Sequence, residues 1–199
     1  MSSDSFNANE TSFSFNWPST LSGIERVALS AKGDLQRTLS AYFSQPISVA
    51  RGYTSPDPSA PVSSASHATP LEQVRTVDLI CRDRVVCMCT STVTMTSPTA
   101  AQLVLIDKYP IGQVFRALGT APAFQLLDVG LTEGGKGLWR VYTLKTDQFQ
   151  CRIREEFPDR AMFHCDNWLD LPVEPVVNRL PIVIKSGKPV ESGKSVIAH

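Results

Sequence analysis

Hydrophobic and polar positions along the chain follow two repeats. In Phe149–Phe157 they alternate strictly, with Phe149, Cys151, Ile153 and Phe157 on one face and Gln150, Arg152, Arg154 and Glu156 on the other. The same period of two predicts strands at Leu71–Cys81, Arg84–Met95, 124–131 and Leu138–Lys145, and a shorter one through Ile47, Val49, Arg51 and Tyr53. Arg82-Asp83 and Thr146-Asp147-Gln148 are links of hairpin length, so the sheet is expected to be largely antiparallel.

Helical spacing appears in two places. After Gly33-Asp34, the residues Leu35, Leu39, Tyr42 and Phe43 recur on one face until Pro46 stops the run. Ser97-Pro98 offers an N-cap and a first-turn proline for a helix to about Ile106, and Pro110 opens another that Gly119 ends. Helices grouped in two places beside an antiparallel sheet predict an α+β fold rather than alternating βαβ units.

Organisation follows from composition. Residues 1–20 are expected to be a flexible arm, 21–168 a single domain, and 169–199 a C-terminal tail whose apolar stretch 180–184 has no assigned place. Residues 54–70, rich in Pro, Ser and Ala, are expected to form no packed element and to act as a flap before the strand that carries Arg75.

Two charges fall on the wrong face of their strands. Glu155 shares the apolar face of 149–157, and Arg75 lies on the same face as Val77, Leu79 and Cys81. A buried carboxylate is costly unless a cation or a hydrogen-bond donor meets it. Two readings follow: a buried Arg75–Glu155 salt bridge or strand-end snorkelling on one side, and site residues on the other.

Charge and cysteines narrow the function classes. Lys plus Arg equals Asp plus Glu, at 19 each, so no basic field attracts nucleic acid or anionic lipid. No apolar run approaches the roughly 18–20 residues of a membrane span, and residues 1–17 lack the pattern of a secretory signal, so a cytoplasmic location is expected. The cysteines at 81, 87, 89, 151 and 165 lie in or beside strand-like runs and are expected to be reduced core thiols.

Five ordered segments carry a resemblance: GIERVALSAKGDLQRTLSAYFSQPISV, VRTVDLI, YPIGQVF, LWRVYTL and CRIREEFP. Together, over 24–157, they resemble the chorismate pyruvate-lyase superfamily, with Pro-Ile-Gly at 110–112 and Glu-x-Phe at 155–157 the most specific pieces. The resemblance implies an antiparallel sheet whose flanking helices enclose a small ligand cavity. It implies that Arg75 grips the product's carboxylate, that Glu155 meets the hydroxyl end, and that the backbone at Ile111 and Gly112 adds a contact. Arg140 matches an arginine common in the family. One position departs: Ser91 stands where the lyases place an arginine, which weakens the case for a substrate with two carboxylates.

The function expected on this basis is a cofactor-independent lyase-like reaction on a small cyclic metabolite, such as pyruvate elimination from chorismate. Arg75 and Glu155 would be catalytic, with Ile111, Gly112, Arg140 and Ser91 binding substrate and neither metal nor cofactor required. Two alternatives stand beside it. One is a pocket adapted to dehydration, cyclisation or isomerisation of a less acidic intermediate. The other is a non-catalytic metabolite-binding module, as in the effector domains of some transcription regulators. The expected partner is a small molecule, with neither nucleic acid nor membrane.

Three weaker signals have plainer explanations. Gly130 to Gly137 (GLTEGGKG) nearly spells a phosphate loop but lacks its Ser/Thr and is followed by a strand. His164 and Cys165 are adjacent on an extended segment and point apart. Cys81, Cys87 and Cys89 match no common zinc spacing, and His67 and His199 fall in solvated stretches.

Overall fold

The computed structural model describes residues 2–6 and 9–172. Eight strands and four helices run in the order β1 (Ser3–Phe6), β2 (Thr11–Ser14), α1 (Gly23–Ser30), α2 (Leu35–Phe43), β3 (Ile47–Thr54), β4 (Leu71–Cys81) and β5 (Arg84–Met95). There follow α3 (Pro98–Ala101), α4 (Ile111–Ala117), β6 (Ala123–Leu131), β7 (Leu138–Lys145) and β8 (Phe149–Phe157). The fold is α+β, with one six-stranded sheet of order β3-β4-β5-β8-β7-β6, every neighbouring pair antiparallel, and a separate hairpin β1-β2.

Local chemistry explains the boundaries. Ser22 and Glu25 form a capping box: the Ser22 Oγ accepts from the Glu25 amide and the Glu25 carboxylate accepts from the Ser22 amide at 2.8 Å. That motif was readable in the sequence and marks α1, which apolar periodicity alone does not reveal. Arg82 takes φ of 55° in the tight β4–β5 turn. Ser97 caps α3, which runs on into a π-helical turn over Gln102–Ile106.

All four helices lie against one face of the sheet. That inner face carries Phe149, Cys151, Ile153 and Phe157 of β8, the first three opposite Met95, Val93 and Ser91 of β5 and the last three opposite Leu144, Tyr142 and Leu138 of β7. Phe115 of α4 packs on Phe149 with ring centroids 5.0 Å apart. The opposite face is more polar, with Arg152 exposed and Thr90, Thr92 and Thr94 half-buried, though Trp139 and the buried Val141 lie on it. No helix among the described residues is long and apolar enough to cross a membrane.

Two segments make ordered contacts that composition does not reveal. The first twenty residues hold the β1-β2 hairpin, and Ser2 bonds Leu126 of edge strand β6 through its amide (3.0 Å) and its Oγ (3.1 Å). Phe13, Phe15 and Trp17, each separated by one residue, supply the apolar side that packs on the core. Residues 54–70 are laid down on the sheet, because their polar side chains provide the bonds that apolar burial does not. Ser55 continues the β3–β4 pairing to Val74, Val62–Ser64 makes a 3-10 turn, and Ala65 is buried. Leu21 and Trp168 are both buried, the latter beneath the Arg84 guanidinium and beside Phe43. The tail beyond residue 172, with its 180–184 stretch and His199, lies outside the described residues.

Candidate functional site

Antiparallel register puts Arg140 of β7 directly opposite Glu155 of β8, both pointing into the core. The Arg140 Nε donates to Glu155 Oε2 at 2.6 Å, and the Tyr142 hydroxyl, two residues along β7, donates to Glu155 Oε1 at 2.9 Å. The Arg140 Nη1 donates to the carbonyls of Leu29 (2.9 Å) and Ala31 (2.7 Å), where α1 ends. Its guanidinium also stacks 4.5 Å from the Tyr142 ring centroid. The Arg140 side chain is fully buried, yet its Nη2 has no acceptor among the described residues.

Electrostatics follow from this packing. Burial alone works against the Arg140 charge, but the Glu155 carboxylate beside it holds its pKa above the ordinary arginine value. Burial, reinforced by Glu155, pushes the Tyr142 phenol well above its usual range, so it stands as a donor. Cys87 and Cys89, with sulfurs 3.8 Å apart, flank the pair, and burial keeps the Cys87 thiol protonated.

Glu155 is therefore met by a cation, as its inward position requires, but the cation is Arg140 and not Arg75. Arg75 sits on β4 opposite Ser91, and Glu155 sits opposite Cys89, so strand β5 lies between them. Arg75 instead donates Nε to Gln73 Oε1 (2.7 Å), Nη1 to the Tyr109 carbonyl (3.0 Å) and Nη2 to the Val104 carbonyl (2.7 Å). Gln73 in turn donates to Asp57 at 2.6 Å, and Asp57 receives Lys108 at 3.0 Å, which ties the 54–70 segment over this end of the sheet. Burial lowers the Arg75 pKa.

The remaining expected residues spread around these two centres. Ser91 is buried between them, opposite both Arg75 and Ile153. Ile111 packs on the core at the start of α4, whereas Gly112 is exposed and borders a groove of about 390 Å³ with Phe115, Leu144 and Gly33. Neither Arg75 nor Glu155 lines that groove.

Tyr142 is not among the residues expected from the sequence to form the site, and its one signal there is that alternation places it on the Arg140 face. A second buried carboxylate was also missed. Glu25 is fully buried, taking Arg160 at 2.6 and 2.8 Å and His164 at 3.3 Å, and this clamp fastens α1 to the turn after β8. His164 thus faces Glu25 while Cys165 bonds Asn167, and the two form no pair. The 130–137 run ends strand β6 at Leu131 and then turns back through Gly134 and Gly135 at positive φ, and His67 is exposed. Among the described residues no group of three His, Cys, Asp or Glu side chains is placed to hold a metal ion. Set against known proteins, the sequence matches no family model and no curated relative.

Proposed function

We propose that the chain is a chorismate lyase-like, cofactor-independent enzyme that takes a small cyclic metabolite between the inner sheet face and the helices. The observation that carries this reading is the row of buried polar groups on an otherwise apolar face: Gln73, Ser91, Arg140 and Glu155, flanked by Arg75 and Tyr142. Such groups are not needed to close a core and cost desolvation. One donor of the row, the Arg140 Nη2, lacks a protein acceptor among the described residues.

The roles follow from donor counts. A guanidinium has five N–H groups; Arg75 commits one each from Nε, Nη1 and Nη2. One N–H on each Nη is left to grip a ring carboxylate. The Tyr142–Glu155–Arg140 group takes the hydroxyl end of the ring. In pyruvate elimination a ring proton leaves, the ether bond to the enolpyruvyl group breaks, and the proton ends on that group's methylene carbon, giving pyruvate and 4-hydroxybenzoate. Aromatisation drives the step, and the protein contributes orientation and exclusion of water. Four buried thiols suit a reducing cytosol, the location this reading carries.

Ser91 favours a second reading. It offers a hydroxyl where a second carboxylate would want a cation, so a less acidic substrate undergoing dehydration, cyclisation or isomerisation suits the same face.

The test is incubation with chorismate, following pyruvate and 4-hydroxybenzoate, with Arg75→Ala and Tyr142→Phe alongside and folding checked by circular dichroism. Turnover lost in folded Arg75→Ala and reduced in Tyr142→Phe supports the lyase. Folded but silent wild type removes chorismate; tight binding of a metabolite without turnover replaces the enzyme with a binding module.

A further inference from the structure

The sheet face turned away from the four helices has its charges sorted by strand. Along its middle, β5 presents Met88, Thr90, Thr92 and Thr94 and no charge. On one side β4 brings Glu72 and Asp78; on the other, β8 and β7 bring Arg152, Arg154 and Lys145. Glu156, at the end of β8, is paired with Arg154 at 3.5 Å. Three exposed charges are unmatched within the chain. Arg152 and Lys145 make no side-chain hydrogen bond or ion pair among the described residues, and Glu72 meets the Thr94 hydroxyl at 3.1 Å but no cation.

Register turns this sorting into a symmetry. A half-turn about an axis along β5 brings a second copy face to face with the first and sets β4 of each over β8 of the other. Glu72, Thr94 and Gln150 stand in one row across the three strands, so Glu72 of the second copy comes above Gln150. Gln150 lies between Lys145, its partner on β7, and Arg152, the next outward residue of β8, which are the two unmatched cations. In the row Ala50, Asp78, Met88, Glu156 and Trp139, the same rotation sets Trp139, the largest side chain of the face, above Ala50, one of the smallest. Asp78 comes above Glu156, where Arg154 supplies the cation. An axis across the strands would instead set Glu72 above the Asp78 end of the same strand, acid towards acid.

The size also fits. Six strands of eight residues or more cover roughly 750 Å² at the usual spacings, against about 800 Å² per partner in a standard stable interface. Rows of threonine suit aligned packing of two sheets about 10 Å apart. We infer that this face is the interface of a twofold homodimer, with β5 on the axis and Glu72 of each copy seated between Lys145 and Arg152 of the other. The inference concerns assembly and does not rest on the reaction proposed above.

The experiment measures the mass of the full chain by sedimentation equilibrium from low to high micromolar concentration, with hydroxyl-radical labelling of Met88 and Trp139 alongside. A dimer is expected, and both residues should be labelled less as it forms. Glu72→Lys brings like charges together twice and should weaken the dimer by at least about a hundredfold with the circular dichroism spectrum unchanged. The double variant Glu72→Lys with Arg152→Glu restores opposite charges and should regain most of the affinity, a recovery that damage to the fold cannot produce. Thr92→Arg, on the axis, should give monomers. A monomeric wild type at every concentration, a dimer that Glu72→Lys leaves unchanged, or a double variant no tighter than Glu72→Lys would overturn the inference. In a monomer, protection of Met88 and Trp139 from labelling would assign the face to residues 173–199 instead.

Discussion

Arg140 and Glu155 are direct cross-strand partners whose side chains meet at 2.6 Å in the interior of the sheet, so one charge cannot be removed without stranding the other. Arg140→Met and Glu155→Met should each lose roughly 3–5 kcal/mol of unfolding free energy, the usual cost of leaving a buried charge unpaired. Replacing both residues by methionine should recover much of that loss. Urea denaturation of the two singles and the double gives the coupling, and additivity of the singles would show that the pair is not a unit.

Glu25 supplies a pH dependence of known sign. Burial pushes its carboxyl up, but hydrogen bonds from Arg160, Ser22 and His164 outweigh that and bring it from 4.5 down to about 2. A depressed folded value means its stabilisation is complete above pH 4.5 and is lost as pH falls from 4.5 towards 2. The contribution is on the order of 3 kcal/mol. Urea midpoints measured between pH 7 and 2 should fall less steeply over that window in Glu25→Gln, which starts from lower stability.

Gly137 sits where no side chain fits. A Cβ there would lie 2.5 Å from the Phe157 carbonyl oxygen and 3.1 Å from that of Pro158, and backbone atoms cannot swing aside. Gly137→Ala should cost about 1–3 kcal/mol, the range for overpacking, visible as a lower thermal midpoint. Gly112→Ala, with open space around it, should be neutral or slightly stabilising in the same assay.

The thiols divide by access. Cys81, Cys87, Cys89 and Cys151 are buried and Cys165 is partly exposed, and burial pushes the Cys151 thiol well up. A chromogenic disulfide reagent at pH 8 should label one thiol quickly and the rest only after denaturant is added. Fast labelling of several would contradict the burial.

Much of this arrangement was legible in the chain. Period-two alternation located β4, β5, β7 and β8 at their observed limits and showed that Glu155 and Arg75 point inward. It could not choose between Arg75 and Arg140 as the partner of Glu155, because alternation gives a face and not a strand order. That choice is made by β8 lying between β5 and β7, a non-local pairing with no local signature. The β1-β2 hairpin and the seating of residues 54–70 were hidden for a related reason. Both depend on Ser and Asp side chains bonding distant backbone or polar groups, which composition registers only as polar.

The strand order has a consequence for how the molecule is held together. Two helices and a three-stranded meander occur twice in succession, α1-α2-β3-β4-β5 and α3-α4-β6-β7-β8, and the sheet order is the same read from either edge to the β5–β8 seam. In each half the central strand carries an arginine that grips backbone carbonyls belonging to the other half: Arg75 of β4 holds Val104 and Tyr109 beyond α3, and Arg140 of β7 holds Leu29 and Ala31 at the end of α1. The halves are handcuffed to each other. A chain cut near Ser97 would leave both guanidinium groups without these acceptors, so neither fragment should fold alone, while the two mixed together have every clasp they need to reassemble.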